Sequence, residues 1–130
     1  MKEEIQKLNQ EFKNKAPEFV LEKMIERFGS KLVIASSLGA EDQVISAMAS
    51  KISSEVRIFV LDTGRLNPET YDLLAESQKV FNSNYEVYVP NQEKIEKFVT
   101  KKGINCFYDS VENRQECCHI RKVEPLNRVL

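Results

Sequence analysis

The sequence predicts one α/β domain built on a doubly wound parallel sheet with helices on both faces. Leu32 to Ala35 is a short, continuous apolar run with the composition of a buried strand. Val56 to Leu61 and Tyr85 to Val89, each apolar except for one charged residue, are predicted as the second and third strands. Longer segments with helical periodicity separate them, and crossovers of that length join parallel strands. A chain of 130 residues is also of ordinary single-domain size.

Within this one domain, residues 1–30 are predicted to form N-terminal helices and residues 31–130 a βα core. Ile5, Leu8 and Phe12 fall on one face of the first helix. Pro17 suits the first turn of a second helix, and Gly29 lies where that helix needs a left-handed cap.

The middle of the chain alternates strand and helix. After the first strand, residues 44–52 carry apolar side chains at helical spacing. After the second strand, Asn67 can cap a helix and Pro68 can occupy its first position.

The last third is more helical. Residues 92–102 form a charged amphipathic helix, residues 104–108 a short strand or loop, and the chain from Ser110 onward is predicted to be helical. Pro125 marks either a break in that helix or a new first turn.

Composition narrows the class of protein. Hydrophobic residues make up 42% and charged residues 30%, and 19 basic residues against 20 acidic ones leave a net charge of −1. This balance argues against a mainly electrostatic nucleic-acid binder. No apolar run approaches the ~20 residues of a membrane span, and the polar N-terminus does not resemble a signal peptide. Three cysteines, two of them adjacent, fit a reducing cytoplasmic compartment.

Ligands of parallel sheets bind beyond the carboxyl ends of the strands, which draws attention to two turns. The first follows the first strand, and small residues, two hydroxyls and a helix N-terminus suit it to an anion. It lacks the Gly-Lys-Ser/Thr of a Walker loop, and a plain strand-to-helix turn remains the alternative. Its residues are Ser36, Ser37, Leu38, Gly39, Ala40, Glu41 and Asp42.

The second turn follows the second strand. Gly64 permits a tight turn or a close ligand, and Arg65 offers a planar fork for phosphate or sulfate. A solvated arginine in an ordinary turn is the competing interpretation. The segment consists of Leu61, Asp62, Thr63, Gly64 and Arg65.

The adjacent Cys117 and Cys118 form a third candidate site. Zinc sites usually separate paired cysteines by ~2–4 residues, and an iron–sulfur cubane usually takes four thiolates. With Cys106 the chain has only three, so two partly buried helical thiols are the simpler interpretation. Residues 114–130 carry four basic and two acidic residues, a setting that lowers thiol pKa values and favours anions. No role is assigned to Cys106 or to His119.

Together the three segments resemble the sulfonucleotide reductase family, the assimilatory adenylylsulfate and phosphoadenylylsulfate reductases. Their order and spacing agree with the family, and the resemblance spans roughly Leu32 to Leu130. The matching stretches are residues 36–44, residues 61–66 with 69–71, and residues 117–126.

The resemblance implies an adenine-nucleotide hydrolase-like fold. It also implies that the Ser36–Asp42 turn holds the phosphosulfate and that residues 61–66 line the adenosine. Family enzymes reduce the activated sulfate to sulfite with thioredoxin or glutathione-type reductants. The Cys-Cys motif is typical of the adenylylsulfate branch, which carries a [4Fe–4S] cluster. Cys117 and Cys118 would be two of its ligands, and Lys122 would lie near cluster and substrate.

Several family features have no counterpart here: a second cysteine pair, an arginine-rich loop and a terminal Glu-Cys-Gly-Leu-His nucleophile. We therefore expect a C-terminally truncated core with no catalytic residue, an absent or incomplete cluster, weak nucleotide binding at most and no turnover. Uncovered apolar faces would favour homo-oligomers. Phosphoadenylylsulfate reductase, ATP pyrophosphatase and a non-catalytic nucleotide-binding module stay open, although Leu38 and Ala40 depart from the pyrophosphatase loop.

Overall fold

A computed structural model describes residues 1–130, which form seven α-helices and three β-strands. In chain order these are α1 (Lys2–Glu11), α2 (Pro17–Phe28), β1 (Val33–Ala35), α3 (Ala40–Ile52), β2 (Arg57–Leu61), α4 (Pro68–Val80), β3 (Asn84–Tyr88), α5 (Gln92–Lys102), α6 (Val111–Cys118) and α7 (Glu124–Val129).

The three strands form one parallel sheet in the order β1-β2-β3, which confirms the predicted α/β class. In the register of the sheet, Ile58 in the middle of β2 lies opposite Ile34 of β1 and Tyr85 of β3. Because β2 is paired on both sides and covered on both faces, its apolar run is continuous rather than alternating.

Helices α3 and α4 cover one face of the sheet. Ile58 packs in a buried cluster with Ala49 of α3, and Val60 packs with Leu74 of α4. One hydrogen bond also joins these helices, from Gln43 Nε2 to Ser77 Oγ at 2.7 Å, and Ser50 of α3 is hydrogen-bonded to Ser83, which follows α4.

The opposite face carries Phe59, which is 3% exposed and meets Tyr88 edge-on with ring centroids 6.4 Å apart. Helix α7 packs against β2 and β3, and Arg128 donates to the carbonyl of Val89. Since α3 and α4 occupy the first face, α7 covers the second, and helices lie on both faces as predicted. None of the helices has the length and apolar character needed to cross a membrane.

The structure refines several local expectations. Residues 104–108 contain a 3-10 turn, Cys106–Tyr108, rather than a strand. Pro125 does not break the last helix, because it lies at the start of α7, where a missing N–H costs least. Between α6 and α7 the chain forms a π turn, His119–Val123, which the sequence did not predict. The Asn67 side chain accepts no capping hydrogen bond.

An ion pair on the α7 face of the sheet predicts how acid affects stability. Arg57 Nε lies 2.6 Å from Glu86 Oε1, and Tyr88 donates to Glu86 Oε2 at 2.9 Å. The Arg57 hydrogen bond, aided by Tyr88, lowers the pKa of Glu86. Its stabilisation is therefore complete above the unfolded pKa of about 4.3 and is lost as pH falls through the lower folded pKa.

We expect Glu86→Gln to lose less stability than the parent chain as pH falls from about 5 to about 2. Urea unfolding midpoints at successive pH values measure this. Glu76→Gln, which removes a charge from an exposed position of α4, should keep the parent slope. Equal pH slopes in the parent chain and Glu86→Gln would contradict the assignment.

Candidate functional site

A cavity of about 420 Å³ lies beyond the carboxyl ends of β1 and β2, within the usual size range of ligand pockets. We call it the strand-end cavity. Its charged lining residues are Asp42 and Lys122, and its walls are otherwise apolar or hydroxyl-bearing. It is lined by Ala35, Ser36, Ser37, Asp42, Phe59, Val60, Leu61, Thr63, Leu66, Thr70, Lys122 and Leu126.

The turn after β1 is held in a strained shape. Leu38 has a φ of +65°, a region that side chains with a Cβ rarely adopt. Its side chain is 5% exposed and packs against Val60 and Leu74, while its N–H donates to Ser36 Oγ at 3.1 Å. The core therefore fixes the turn, and Leu38 directs its side chain away from the cavity. Strain of this kind is concentrated at functional sites.

The same turn already holds an anionic group, the carboxylate of Asp42. The Ser37 hydroxyl and N–H donate to Asp42 Oδ2 at 2.7 and 2.6 Å. These two bonds, with a smaller contribution from the N–H of Gly39, lower the pKa of Asp42. The donors at the start of α3 are thus arranged around a negative charge. Gly39, Ala40 and Glu41 complete the turn without lining the cavity.

The turn after β2 is closed by its own side chains. Asp62 Oδ1 accepts from the N–H of Gly64 at 2.8 Å and from the Tyr71 hydroxyl at 2.7 Å, and the latter bond raises the pKa of Tyr71. Gly64 has a φ of +72°, which explains the glycine. Leu61 and Thr63 line the strand-end cavity, whereas Asp62 and Gly64 do not.

Arg65 reaches away from the strand-end cavity. Its guanidinium lies 4.8 Å from the ring centroid of Phe107 and donates to Asn105 Oδ1 at 3.0 Å and to the carbonyl of Ile104. The guanidinium of Arg65 thus contacts an aromatic ring and two hydrogen-bond acceptors, all within residues 104–107. Arg65 joins the turn after β2 to the segment between α5 and α6.

A second cavity, of about 270 Å³, lies beside the adjacent cysteines, and we call it the cysteine pocket. It contains four cationic side chains and no acidic one, and none of the four forms an ion pair. Thr63 and Lys122 line this pocket as well as the strand-end cavity. It is lined by Thr63, Arg65, Phe107, Arg114, Cys117, Cys118, Arg121 and Lys122.

The two adjacent thiols have different surroundings. Cys117 is 7% exposed and belongs to an apolar cluster with Phe98, Cys106 and Ile120, whereas Cys118 is exposed. No three His, Cys, Asp or Glu side chains gather as a metal site. His119 is exposed on the following turn.

The sequence did not single out every residue that lines the two cavities. Phe59 and Val60 were predicted only as strand residues, and Arg114 only as part of a basic segment. Arg121 lies in the family-matching stretch 117–126, but no role was predicted for it. Phe59 and Val60 could have been predicted as lining residues, because ligand sites of parallel sheets lie at the carboxyl ends of the strands. The position of Arg121 could not have been predicted in this way, because its hydrogen bond to Thr63 joins residues that are far apart in the sequence.

Comparison with known proteins agrees with this architecture. A family model described as "Phosphoadenosine phosphosulfate reductase domain" matches residues 31–130. An adenosine 5'-phosphosulfate reductase of Allochromatium vinosum is 43% identical over 99 residues, which is 76% of this chain and 39% of that protein. A Pseudomonas aeruginosa protein of the same name is 41% identical over 117 residues, covering 90% of this chain and 43% of its own length.

A solved structure, the phosphoadenylyl-sulfate reductase of Candida auris in a phosphate complex, matches with a TM-score of 0.83 and 28% identity. The match covers 99% of this chain and 62% of that one. The chain thus spans about two fifths of the length of the curated bacterial relatives described above. A family model that matches 100 of the 130 residues, with relatives above 40% identity, leads to one conclusion: the chain belongs to the phosphoadenosine phosphosulfate reductase domain family.

Proposed function

We propose that this chain supplies the nucleotide- and phosphosulfate-binding part of an enzyme that reduces adenylylsulfate to sulfite and AMP in assimilatory sulfate reduction. One observation carries the proposal: the strand-end cavity joins apolar walls to a turn whose donors already surround a carboxylate. That combination suits a ligand with a flat apolar base at one end and an anionic group at the other. Relatives named as adenosine 5'-phosphosulfate reductases support the same substrate class.

In this proposal the apolar residues Phe59, Leu66 and Leu126 receive the adenosine. The phosphosulfate lies toward the Ser36–Asp42 turn and Lys122. The carboxylate of Asp42 would then give up its hydrogen bonds from Ser37, because one donor pair cannot hold two anions.

The proposed reaction balances as a two-electron reduction. The bond between the sulfate sulfur and the AMP oxygen breaks, sulfur gains two electrons, and sulfite and AMP leave. Two thiols of a thioredoxin or glutathione-type reductant are oxidised to a disulfide and release two protons. No thiol of this chain is assigned as the nucleophile, since Cys106 and Cys117 are buried and the exposed Cys118 is proposed as a cluster ligand.

Cys117 and Cys118 are proposed as two of the four thiolate ligands of a [4Fe–4S] cluster. The cationic lining of the cysteine pocket suits a group that carries negative charge. The chain gathers two thiols there and not four, so the cluster would be absent or incomplete in the chain by itself. When bound, such a cluster would add an anionic group beside Lys122.

The remaining parts of the proposal concern organisation. Residues 1–30 and 31–130 form one domain, and the protein is located in the cytoplasm. We expect the chain to form homo-oligomers through exposed apolar surface. A monomer over a broad concentration range in analytical ultracentrifugation would contradict the last point.

Isothermal titration with AMP, adenylylsulfate, phosphoadenylylsulfate and ATP tests the proposal. We expect weak binding of AMP and adenylylsulfate, with dissociation constants between about 10 µM and 1 mM. We expect no sulfite when reduced thioredoxin is added, and GMP serves as the matched control ligand. Failure to bind any nucleotide would contradict the proposal. Tighter binding of phosphoadenylylsulfate than of adenylylsulfate would make phosphoadenylylsulfate the proposed substrate. Conversion of ATP to AMP and pyrophosphate would favour a pyrophosphatase.

A further inference from the structure

Arg121 is the only charged residue among the buried residues of the chain, with 9% of its surface exposed. It lies in the π turn His119–Val123 between α6 and α7. Burying a guanidinium is costly, and no carboxylate offsets this cost, because Arg121 takes part in no ion pair. A π turn is likewise rare and is often found at functional sites. Two unfavourable features therefore coincide at one residue.

The guanidinium of Arg121 holds the turn after β2. Its Nη1 donates to the carbonyl oxygen of Thr63 at 2.6 Å, across 58 positions of sequence. A Cβ placed at Gly64 would lie 3.3 Å from the same nitrogen, so the glycine leaves room for the contact. Arg121 Nε is buried without a hydrogen-bond partner, and one backbone carbonyl is therefore its principal protein contact.

This contact lies in the wall between the two cavities. Thr63 and Lys122 line both the strand-end cavity and the cysteine pocket, and Arg121 lines the cysteine pocket behind them. The turn after β2 is therefore joined through Arg121 to the helical segment that follows Cys118. The Arg65 contacts with Asn105 and Phe107 give the turn a second attachment to the same side of the molecule.

We propose that Arg121 is a positioning residue that ties the turn after β2 to the cysteine-bearing helix, so that a change in one alters the other. Holding the helix alone would not require a charge, since an apolar side chain of similar volume often packs there at no loss of stability. The guanidinium supplies what methionine cannot, a directed hydrogen bond to the turn. The inference rests on the proposed function only in the choice of AMP as the ligand whose binding would be transmitted from the turn to the helix.

The first test uses the ligand-free 130-residue chain. In Arg121→Met, the amides of Gly64 and Arg65 should exchange with deuterium at least about fivefold faster, the factor expected for one lost hydrogen bond. The alkylation rate of Cys118 by iodoacetamide, followed by mass spectrometry, should change as well. Arg114→Met is the matched control: it removes the same charge from the cysteine pocket, but Arg114, unlike Arg121, donates no hydrogen bond to Thr63. Unchanged amide exchange in Arg121→Met would overturn the proposal.

Arg121→Lys supplies the rescue experiment. A lysine keeps the charge and can donate to the Thr63 carbonyl, so it should restore most of the amide protection. If Arg121→Lys instead matched Arg121→Met, the hydrogen bond would not be the connection and the proposal would fail.

The second test adds saturating AMP. In the parent chain and Arg114→Met, AMP should change the alkylation rate of Cys118 by about threefold or more, and in Arg121→Met this change should disappear while AMP still binds. A change that persists in Arg121→Met would overturn the proposal. If AMP does not bind the parent chain, the proposed function fails, and amide exchange with Cys118 alkylation in the ligand-free variants decides the role of Arg121.

Discussion

Replacing Ile58 with alanine is expected to lower the free energy of unfolding by about 2–5 kcal/mol. Ile58 is fully buried in the middle of β2, between Ile34 and Tyr85 on the neighbouring strands and against Ala49 of α3. The truncation removes apolar contacts from all of these and leaves a cavity that a paired central strand cannot close. Urea unfolding followed by circular dichroism gives the change.

Ile104→Ala is the matched control for this prediction. The chemical change is identical, but Ile104 is 61% exposed, so the effect should stay within about 0.5 kcal/mol. If Ile58→Ala cost less than about 1 kcal/mol, the sheet would not be the stability centre of the domain. Comparable losses in both variants would indicate an effect on the unfolded chain instead.

The position of β2 could be predicted because its signal is local. Residues 56–61, which are apolar except for Arg57, have the pattern of a strand buried on both faces, and the strand of the structure is Arg57–Leu61. The helices of the βα core were predicted for the same reason, since one apolar face repeats along each of them. Such patterns report burial, and the buried apolar residues lie mostly in β2 with α3 and α4, and in a separate cluster of Phe98, Cys106, Cys117 and Ile120.

The π turn could not be predicted from the sequence, because no local pattern marks it. Nothing in residues 119–123 departs from helical composition, and the contact of Arg121 with Thr63 exists only when the sheet has formed. The direction of Arg65 has the same origin, since its acceptors lie 39 and 40 positions further along the chain. The sequence shows that an arginine can bind an anion or a carbonyl oxygen, but the fold determines which of the two lies within hydrogen-bonding distance.

The candidate site was predictable at the level of turns rather than side chains. Rules for parallel sheets point to the turns after β1 and β2, and both border the strand-end cavity. Which side chains face that cavity depends on the backbone. The positive φ of Leu38 sends its side chain into the core, while Ser37 and Asp42 remain at the cavity.

The Lys122→Ala variant is expected to bind adenylylsulfate at least about tenfold more weakly, while its affinity for adenosine stays unchanged. Lys122 is the only cationic residue that lines the strand-end cavity, and it also lines the cysteine pocket. A charged hydrogen bond to an anion is worth about 1.5–3 kcal/mol, which corresponds to a factor of ten or more. Titration calorimetry at about 0.15 M salt measures both affinities, because screening at that ionic strength removes distant charge effects.

Lys101→Ala separates a local contact from a general loss of positive charge. Lys101 lies in the last turn of α5 and lines neither the strand-end cavity nor the cysteine pocket, so its removal should leave both affinities unchanged. Equal weakening in the two variants would mean that net charge, and not Lys122, attracts the anion. Equal loss of adenosine and adenylylsulfate binding in Lys122→Ala would mean that the lysine shapes the cavity instead. Only a loss confined to the anionic ligand assigns Lys122 to the phosphosulfate, since adenosine shares every apolar contact and lacks the negative charge.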